Sequence, residues 1–362
     1  MVSLEKIPGI FFMSCLRLLF ALSALLLSSL ACVTILGEGS NAQGESSYFE
    51  NEPQFGLPAT PSAPPQAVSC PLITEQIVEA NTPVDLSNDL AKDFNNAPSD
   101  EEETTYLVTY FVTGDEINNP YYESVPADLQ DEQDDTAAHQ AIWNYFTALI
   151  PLEFRPTLAE FSIMTDGTDN VLAAVAQTYD DPTRWGLEVD IADTSDYYYL
   201  TFTLVHEFAH LFTLAPDQVT PSIAIFDNPE DNDLYLDEVA ACPTFFPGEG
   251  CSNPDSYINA FYEEFWLNIY DEWNEINLIE DEDSYYEALD EFYYQYEDQF
   301  LTDYSVTHPA EDIAEAFGFF IFAEQPAGDT IAEQKILFFY RYPELVQLRS
   351  EILSNLCLNF PQ

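Results

Sequence analysis

The sequence predicts an α+β fold in which a small mixed sheet comes first and a helical half follows. Of the 362 residues 47% are hydrophobic, and 27 Phe and 22 Tyr are among them, which is enough apolar material for a sizeable core. Strand-like runs end near residue 192, whereas helical periodicity prevails from residue 254 onward. We therefore expect one folded domain over residues 70–362.

The predicted strands are rich in β-branched and aromatic residues and are bounded by turns. The first covers residues 104–113. Asp-Gly and Asp-Asp-Pro turns separate three further runs, which are 158–164, 171–178 and 185–192. Apolar residues at helical spacing predict a helix over 128–150, which Pro151 ends. We expect the 171–178 strand at an edge of the sheet.

The next predicted helix covers residues 197–214. The preceding segment, Asp-Thr-Ser-Asp at 193–196, offers N-cap side chains, and Pro216 stops the apolar run. The remaining helical patterns cover 255–276, 283–299, 309–323, 328–340 and 343–356.

Acidic residues dominate the charge of the chain. Asp and Glu number 65 against 8 Lys and Arg, so the formal net charge is −57. A surface this negative repels phosphate backbones and anionic lipid headgroups. Nucleic acid is therefore excluded as a partner, and so is docking on a membrane through a basic patch.

Residues 1–31 are expected to be a signal peptide, because basic residues flank an apolar run over 18–27 and small residues follow. Residues 28–32, with the sequence Ser-Ser-Leu-Ala-Cys, resemble a bacterial lipoprotein box, in which the cysteine (here Cys32) becomes acylated. Ser29 stands where that pattern prefers Leu. Ordinary signal-peptidase cleavage and an uncleaved anchor are the alternatives.

Residues 32–69 have the composition of a disordered tether, rich in Gly, Ser, Asn, Gln and Pro. Such a segment buries little and holds a domain away from a surface. We therefore expect an extracytoplasmic, monomeric lipoprotein of the cell surface that meets the membrane only through its lipid anchor. A secreted protein is the alternative.

Cysteine usage agrees with export. Four cysteines remain when Cys15 and Cys32 are set aside, namely Cys70, Cys242, Cys251 and Cys357. An even number in an exported chain favours disulfides. The competing possibility, a cysteine-based zinc site, is disfavoured because none of the four forms a C-x-x-C pair. The simplest of three connectivities joins Cys242 to Cys251 across a short Pro/Gly loop and Cys70 to Cys357 across the whole domain.

Residues 206–210 read His-Glu-Phe-Ala-His within the predicted 197–214 helix. One helical turn places His206 and His210 on the same face, so both imidazoles can reach one metal ion. Glu207 projects beside them, where it can serve as a general base. The neighbouring residues are apolar, as expected for a helix buried under a sheet. The pattern therefore predicts a metal site.

Two histidines leave a catalytic zinc ion one protein ligand short. Pro309 opens the predicted 309–323 helix, on which Glu311 and Glu315 share a face. Because burying unpaired carboxylates is costly, a metal ligand and a residue that orients a ligand histidine would explain both side chains. An ordinary amphipathic helix with solvated acids is the competing explanation.

Several other polar residues are weaker candidates. Glu238 lies closer in sequence to the histidine pair, but its segment ends at Cys-Pro, and His308 precedes the helix. The acidic run 227–233 could hold calcium, but it lacks the glycine of a calcium loop and has Pro229 at a ligand position. His139 stands among polar residues and is expected to be solvated.

The His-Glu-Phe-Ala-His motif together with Tyr-x6-Glu-x3-Glu-Ala-Phe, over residues 304–317, resembles the gluzincin metallopeptidases. The similarity is to the catalytic domain of anthrax toxin lethal factor and to bacterial zinc-binding metallopeptidase lipoproteins, and it covers about residues 100–325. It implies a zincin-like fold, with a small mixed sheet over an active-site helix.

The resemblance also implies residue roles. One Zn²⁺ per chain is bound by two histidines and a glutamate, carried over as His206, His210 and Glu311. Glu207 is then the general base and Tyr304 stabilises the oxyanion. Glu315 is then not a ligand itself but lies next to a ligand and orients it. About a hundred residues separate His210 from Glu311, more than in the toxin, so substrate choice does not transfer.

The leading hypothesis is a zinc metallopeptidase that hydrolyses peptide bonds in peptide or protein substrates outside the cytoplasm. The alternative is a non-catalytic surface binding protein that uses zinc as a structural staple. An open coordination position beside Tyr304 favours catalysis, whereas a fourth protein ligand favours the staple. Glu207 also favours catalysis, because a staple has no use for a base beside its ligands.

Overall fold

A computed structural model of the protein describes residues 69–82, 104–167, 171–279 and 281–361. The predicted signal peptide, Cys32 and nearly all of the predicted tether lie outside the described residues. Within these ranges the fold is α+β, as predicted, with one sheet before residue 191 and mostly helices after it.

The strands form a five-stranded mixed sheet. Their bounds are Thr105–Thr113 (β1), Glu116–Tyr122 (β2), Leu158–Thr165 (β3), Ala173–Gln177 (β4) and Trp185–Asp190 (β5). The order is β2-β1-β3-β5-β4, in which only the β3 and β5 neighbours are parallel. β4 therefore lies at an edge of this sheet, as expected for the 171–178 run.

The sequence does not predict β2, which is polar and contains Pro120. Gly114 opens the connection from β1 with a φ of 64°, a conformation that glycine adopts without strain. The register shifts between Thr109 and Phe111, opposite Asn119 and Pro120, so the proline falls within a bulge. An edge strand of this kind tolerates polar side chains on an exposed face.

Twelve α-helices are found in the described residues. They are Pro71–Ala80 (α1), Gln130–Asp134 (α2), Thr136–Leu149 (α3), Tyr197–Thr213 (α4), Ile223–Asp227 (α5), Asn232–Ala241 (α6), Tyr257–Phe261 (α7), Tyr270–Ile276 (α8), Glu282–Gln295 (α9), Pro309–Phe322 (α10), Ile331–Phe339 (α11) and Pro343–Asn359 (α12). A π-helical turn follows α7 at Tyr262–Trp266, and a 3₁₀ turn at Tyr304–Val306 precedes α10. Two short strands, Val219–Pro221 (β6) and Gly250–Ser252 (β7), pair separately from the main sheet.

The helix expected over 128–150 is two helices instead of one. Asp135 lies between α2 and α3, and its carboxylate accepts a hydrogen bond from the backbone N–H of Ala138 at 3.0 Å. A side chain that caps a new helix start in this way competes with continuation of the helix before it. Helices α1, α5 and α6 were also absent from the sequence-based expectation.

The expectation that His139 is solvated is wrong, because its side chain on α3 is fully buried. Its Nε2–H donates to the carbonyl of Glu132 at 2.9 Å, and its Nδ1 accepts from the Tyr110 hydroxyl at 2.9 Å. Both ring nitrogens are satisfied inside the protein, and the partner on β1 is 29 positions away in sequence.

Helices α4 and α10 pack against each other through aromatic rings. Phe317 on α10 lies against Phe208 and Phe212 on α4, with ring centroids 6.0 and 4.8 Å away. The next residue, Gly318, faces the ring of Phe202, and a Cβ there would come within 2.7 Å of that ring. This close approach fixes the first turn of α10 beside the histidine-bearing turn of α4.

Both predicted disulfides are present. Cys70–Cys357 joins the start of α1 to α12, and Cys242–Cys251 joins the end of α6 to β7. Disulfides persist in oxidising compartments, which indicates that the domain folds outside the reducing cytoplasm. None of the helices described is both long enough and apolar enough to cross a membrane.

Candidate metal centre

Helix α4 carries three ionisable side chains on its buried C-terminal half. The carboxylate of Asp196 caps the helix by accepting hydrogen bonds from backbone N–H groups of the first turn. His206, Glu207 and His210 are each less than a tenth exposed. Buried polar groups require partners, and those of the two histidines come from α10.

Glu311 lies in the first turn of α10 and meets both histidines. Its Oε2 is 3.0 Å from Nε2 of His206 and 3.2 Å from Nε2 of His210. The two Nε2 atoms are themselves 3.1 Å apart. The three side chains named by the sequence as metal ligands therefore converge on one point.

This triangle of atoms fits a zinc ion. Ligand atoms about 2.0–2.2 Å from a tetrahedral ion are separated from one another by about 3.3–3.6 Å, a few tenths of an ångström more than the observed 3.0–3.2 Å. Two imidazole nitrogens and one carboxylate oxygen are a common ligand set of zinc sites that leave a fourth position open. In the part of the chain that the structure describes, no further His, Cys, Asp or Glu joins this group.

Glu315 forms a hydrogen bond with the imidazole nitrogen of His206 that does not face the convergence point. Its Oε1 accepts from Nδ1–H of His206 at 2.9 Å, and its Oε2 accepts from the hydroxyl of Thr302 at 2.8 Å. Because Nδ1 carries the proton, Nε2 of His206 presents its lone pair to the convergence point. Nδ1 of His210, in contrast, is buried without a hydrogen-bond partner among the described residues.

Glu207 is buried beside the convergence point and does not belong to it. The backbone N–H of Val175 on β4 donates to its carboxylate. Burial raises the pKa of the Glu207 carboxyl to about 7, and the positive charges that His206 and His210 can carry act in the opposite direction. A carboxyl with a pKa near 7 can hold or release a proton at neutral pH.

Tyr304 lies next to His206. The two ring centroids are 5.9 Å apart, and about half of the tyrosine is exposed (51%). The negative charge of Glu311 raises the pKa of the Tyr304 hydroxyl well above its usual range, and burial of the hydroxyl end adds to this effect. The hydroxyl therefore stays protonated and remains a hydrogen-bond donor.

The weaker candidates lie elsewhere or have other roles. Glu238 accepts from the hydroxyl of Ser222 at 2.8 Å. His308 caps α10, since its Nδ1 accepts from a backbone N–H at 3.1 Å, and burial lowers its pKa to about 4. The described side chains of the acidic run 227–233 form no group with three converging ligand atoms.

A second acidic group, Asp166, Asp190 and Asp193, does converge at the end of the sheet. The carboxylate of Asp190 accepts from the backbone N–H groups of Asp166 and Ala192, at 2.8 and 2.7 Å. These hydrogen bonds give Asp190 a structural role, because they hold the backbone that follows β3 and β5 at this end of the sheet.

Sequence reasoning missed three residues around the site. Thr302 orients Glu315, and Lys335 on α11 is a fully buried cation 2.5 Å from Asp312, the neighbour of Glu311. Glu249, before β7, has a buried carboxylate that interacts electrostatically with His210 and Glu311. Of these, only Lys335 left a signal, as the one basic residue of a helix, directly before the apolar run 336–339.

Comparison of the chain with known proteins gives no relative. No family model matches it, and neither a curated protein nor a solved structure matches it significantly. The assignment of a function therefore depends on the geometry of this site and on the motifs that form it.

Proposed function

We propose that the protein is a zinc-dependent peptidase of the gluzincin type with a zincin-like fold. The main observation behind this proposal is that three ligand atoms converge. Nε2 of His206, Nε2 of His210 and Oε2 of Glu311 lie 3.0–3.2 Å from one another. Glu207 stands next to this group without being one of its ligands. A ligand set of three with a buried carboxylate beside it is the arrangement expected for metal-assisted hydrolysis.

Zinc bound by these residues would polarise a substrate carbonyl and lower the pKa of a water molecule toward neutrality. Glu207 would take up the proton released during attack and return it to the leaving amine. Burial of its carboxyl disfavours the charged form, which favours uptake of that proton. The N–H of Val175 orients its carboxylate.

Tyr304 would stabilise the negative charge that develops on the carbonyl oxygen. Its hydroxyl is a donor whose pKa lies well above the usual range, and it sits beside Glu311 at the rim of the site. A donor fixed before the reaction begins needs no reorganisation when the charge appears. Its partial exposure leaves it accessible to a substrate.

Strand β4 would bind the substrate backbone. It is an edge of the five-stranded sheet and contacts α4 through Val175. An extended peptide can add to such an edge by backbone hydrogen bonds. The scissile bond would then run past Glu207.

The proposed setting is the cell surface. The lipoprotein box would place an acyl chain on Cys32, and the tether would hold the domain away from the membrane. Mass spectrometry of the mature protein tests this part. Its N-terminus should be a lipid-modified Cys32, and an unmodified N-terminus further along the chain would indicate secretion.

The peptidase proposal is tested by zinc analysis of the purified protein followed by cleavage of a peptide library. We expect one zinc ion per chain and cleavage that stops on chelation and resumes when zinc is restored. Zinc bound at one per chain without any cleavage would favour the non-catalytic surface protein that keeps zinc as a staple.

A further inference from the structure

The side chain of Glu311 is the least enclosed of the three candidate ligands. It is 23% exposed, against 6% for His206 and 8% for His210. The ring of His206 is oriented by Glu315, whereas the carboxylate of Glu311 meets the two histidines themselves. The position of this carboxylate before a metal ion binds therefore depends on the backbone of the first turn of α10 and on the contacts that hold this turn.

Asp312, the next residue, provides such a contact. Adjacent residues of a helix project about 100° apart, so Asp312 points away from the histidines that Glu311 meets. Asp312 and Lys335 on α11 are both fully buried, and Nζ of Lys335 lies 2.5 Å from Oδ2 of Asp312. The same oxygen accepts a hydrogen bond from Nε1–H of Trp266 at 2.7 Å. Two separate segments of the chain thus hold one carboxylate of this turn.

Stability alone does not explain a buried ion pair at this place. Removing both charges from water costs free energy, and apolar residues of similar volume in their place are often as stable or more stable. Nζ of Lys335 lies 4.2 Å from the centroid of the Phe300 ring, so an apolar side chain would find packing partners there. What the charged pair adds is direction, because contacts to a charged oxygen fix where the carboxylate lies.

A second tryptophan holds the segment before α10. Nε1–H of Trp273 on α8 donates to the carbonyl of Val306 at 2.9 Å, in the 3₁₀ turn that begins with Tyr304. The rings of Trp266 and Trp273 pack edge-to-face, with centroids 5.7 Å apart. Both tryptophans belong to the long stretch between the histidine motif and α10. This stretch therefore supports the segment that carries Tyr304 and Glu311.

We propose that Asp312, held by Lys335 and Trp266, is a positioning residue that sets where Glu311 presents its carboxylate to the metal ion. The proposal rests on the metal ligands of the function proposed above and adds a support from outside the two motifs. Asp312 is not a catalytic residue, since its side chain faces away from the ligands. It differs from a residue that only stabilises the core, because the metal affinity of the folded protein should depend on it.

The test replaces the ion pair by apolar residues of similar volume, in Asp312→Leu/Lys335→Met. Because neither charge is left buried alone, this variant should fold. The dissociation constant for Zn²⁺ is measured by competition with a chromogenic chelator, at a temperature at which circular dichroism shows native protein. We expect zinc to bind about 10-fold more weakly, at the lower end of the range for loss of a residue that orients a ligand.

The spectrum of bound Co²⁺ is the second readout. Visible absorption of Co²⁺ depends on the geometry of its ligands, so it reports a displaced carboxylate directly. We expect the absorption bands of Co²⁺ in Asp312→Leu/Lys335→Met to shift relative to those of the natural protein. A loss of core stability alone would leave the bands and the dissociation constant unchanged.

Arg155→Met is the matched control. Arg155 is also a buried cation paired with an aspartate, Asp115, and it donates to the carbonyl of Gly114 in the turn between β1 and β2. Its replacement should lower the free energy of unfolding and leave both metal readouts unchanged. If the double variant does not fold, Trp266→Phe takes its place, because it removes one hydrogen bond to Asp312 and keeps the ion pair. We expect it to weaken zinc binding about threefold.

The outcomes separate the positioning role from the proposed function. Equal zinc affinity in the natural protein and in the folded variant overturns the positioning role alone, as does a loss no larger than that in Arg155→Met. Weaker zinc binding with shifted Co²⁺ bands, in a protein that cleaves no peptide, supports the positioning role while the peptidase proposal fails. A natural protein that binds no Zn²⁺ overturns both.

Discussion

Glu315 and His206 form a hydrogen bond of 2.9 Å across the interface between α10 and α4. The bond lies on the side of the imidazole opposite to Glu311, so one ring connects two carboxylates of the same helix. It fixes the tautomer of His206 and the angle of its ring. The geometry of the candidate metal site is thus coupled to the packing of the two helices.

This relationship predicts that Glu315→Gln weakens zinc binding without removing a ligand. Loss of a carboxylate that orients a ligand histidine lowers metal affinity by about 10–100-fold. Competition with a chromogenic chelator measures the change. Glu324→Gln, at an exposed position after α10, removes the same charge and should bind zinc as the natural protein does. Equal affinity in both variants would contradict the role of Glu315.

Replacement of the base separates chemistry from metal binding. Glu207→Gln should retain one zinc ion per chain and lose activity by roughly 10²–10⁴-fold, because the amide keeps the shape of the side chain but cannot accept the proton. Zinc content and turnover are measured on the same preparation. Undiminished turnover in the zinc-loaded variant would refute the role of Glu207.

The third ligand is identified by comparing three variants. Glu311→Ala should reduce zinc affinity by more than the 10–100-fold expected when a residue that only hydrogen-bonds to a ligand is replaced. Glu238→Ala should leave it unchanged, and so should His308→Ser, in which a serine can still cap α10. Zinc titrations of all three decide the matter. Retention of tight binding by Glu311→Ala would show that another residue completes the site.

The local motifs predicted this ligand set because each part of it is a local property. Helical spacing places His206 and His210 on one face, and Pro309 marks the helix start that places Glu311 in the first turn. The contacts of Thr302 and Glu249 depend on how separate segments come together, which no local pattern specifies. The prediction that His139 is solvated was wrong for the same reason. Its neighbours in sequence are polar, but its hydrogen-bond partner Tyr110 lies on β1, far away in sequence.

The two disulfides should differ in their contribution to stability. In the chain-entropy model, a bridge across 287 residues contributes about 6 kcal/mol to the free energy of unfolding, whereas one across 9 residues contributes about 3 kcal/mol. We therefore expect Cys70→Ser/Cys357→Ser to destabilise the domain more than Cys242→Ser/Cys251→Ser. Denaturant unfolding of the two double variants measures this, and a larger loss from the short loop would contradict the expectation.

The buried histidine on α3 makes the fold sensitive to acid. Burial lowers the pKa of His139 below 6.5, although the carbonyl of Glu132 and the charge of Asp135 act in the opposite direction. Between the lowered pKa of the folded state and the value of 6.5 in the unfolded state, the unfolded chain binds more protons. The free energy of unfolding therefore falls as pH falls through this window, and His139 has no such effect above it.

His139→Gln removes this titration and serves as the test. The amide can still hydrogen-bond within the site, so the variant should fold, with a lower stability at neutral pH that reflects the lost ring. The informative quantity is the difference in the free energy of unfolding between the natural protein and the variant, measured by denaturant unfolding from pH 7.5 to pH 4.5. Because only the natural protein has a histidine to protonate at this position, we expect the difference to shrink as the pH falls below 6.5. A difference that stays constant over the whole range would show that burial of His139 does not lower its pKa.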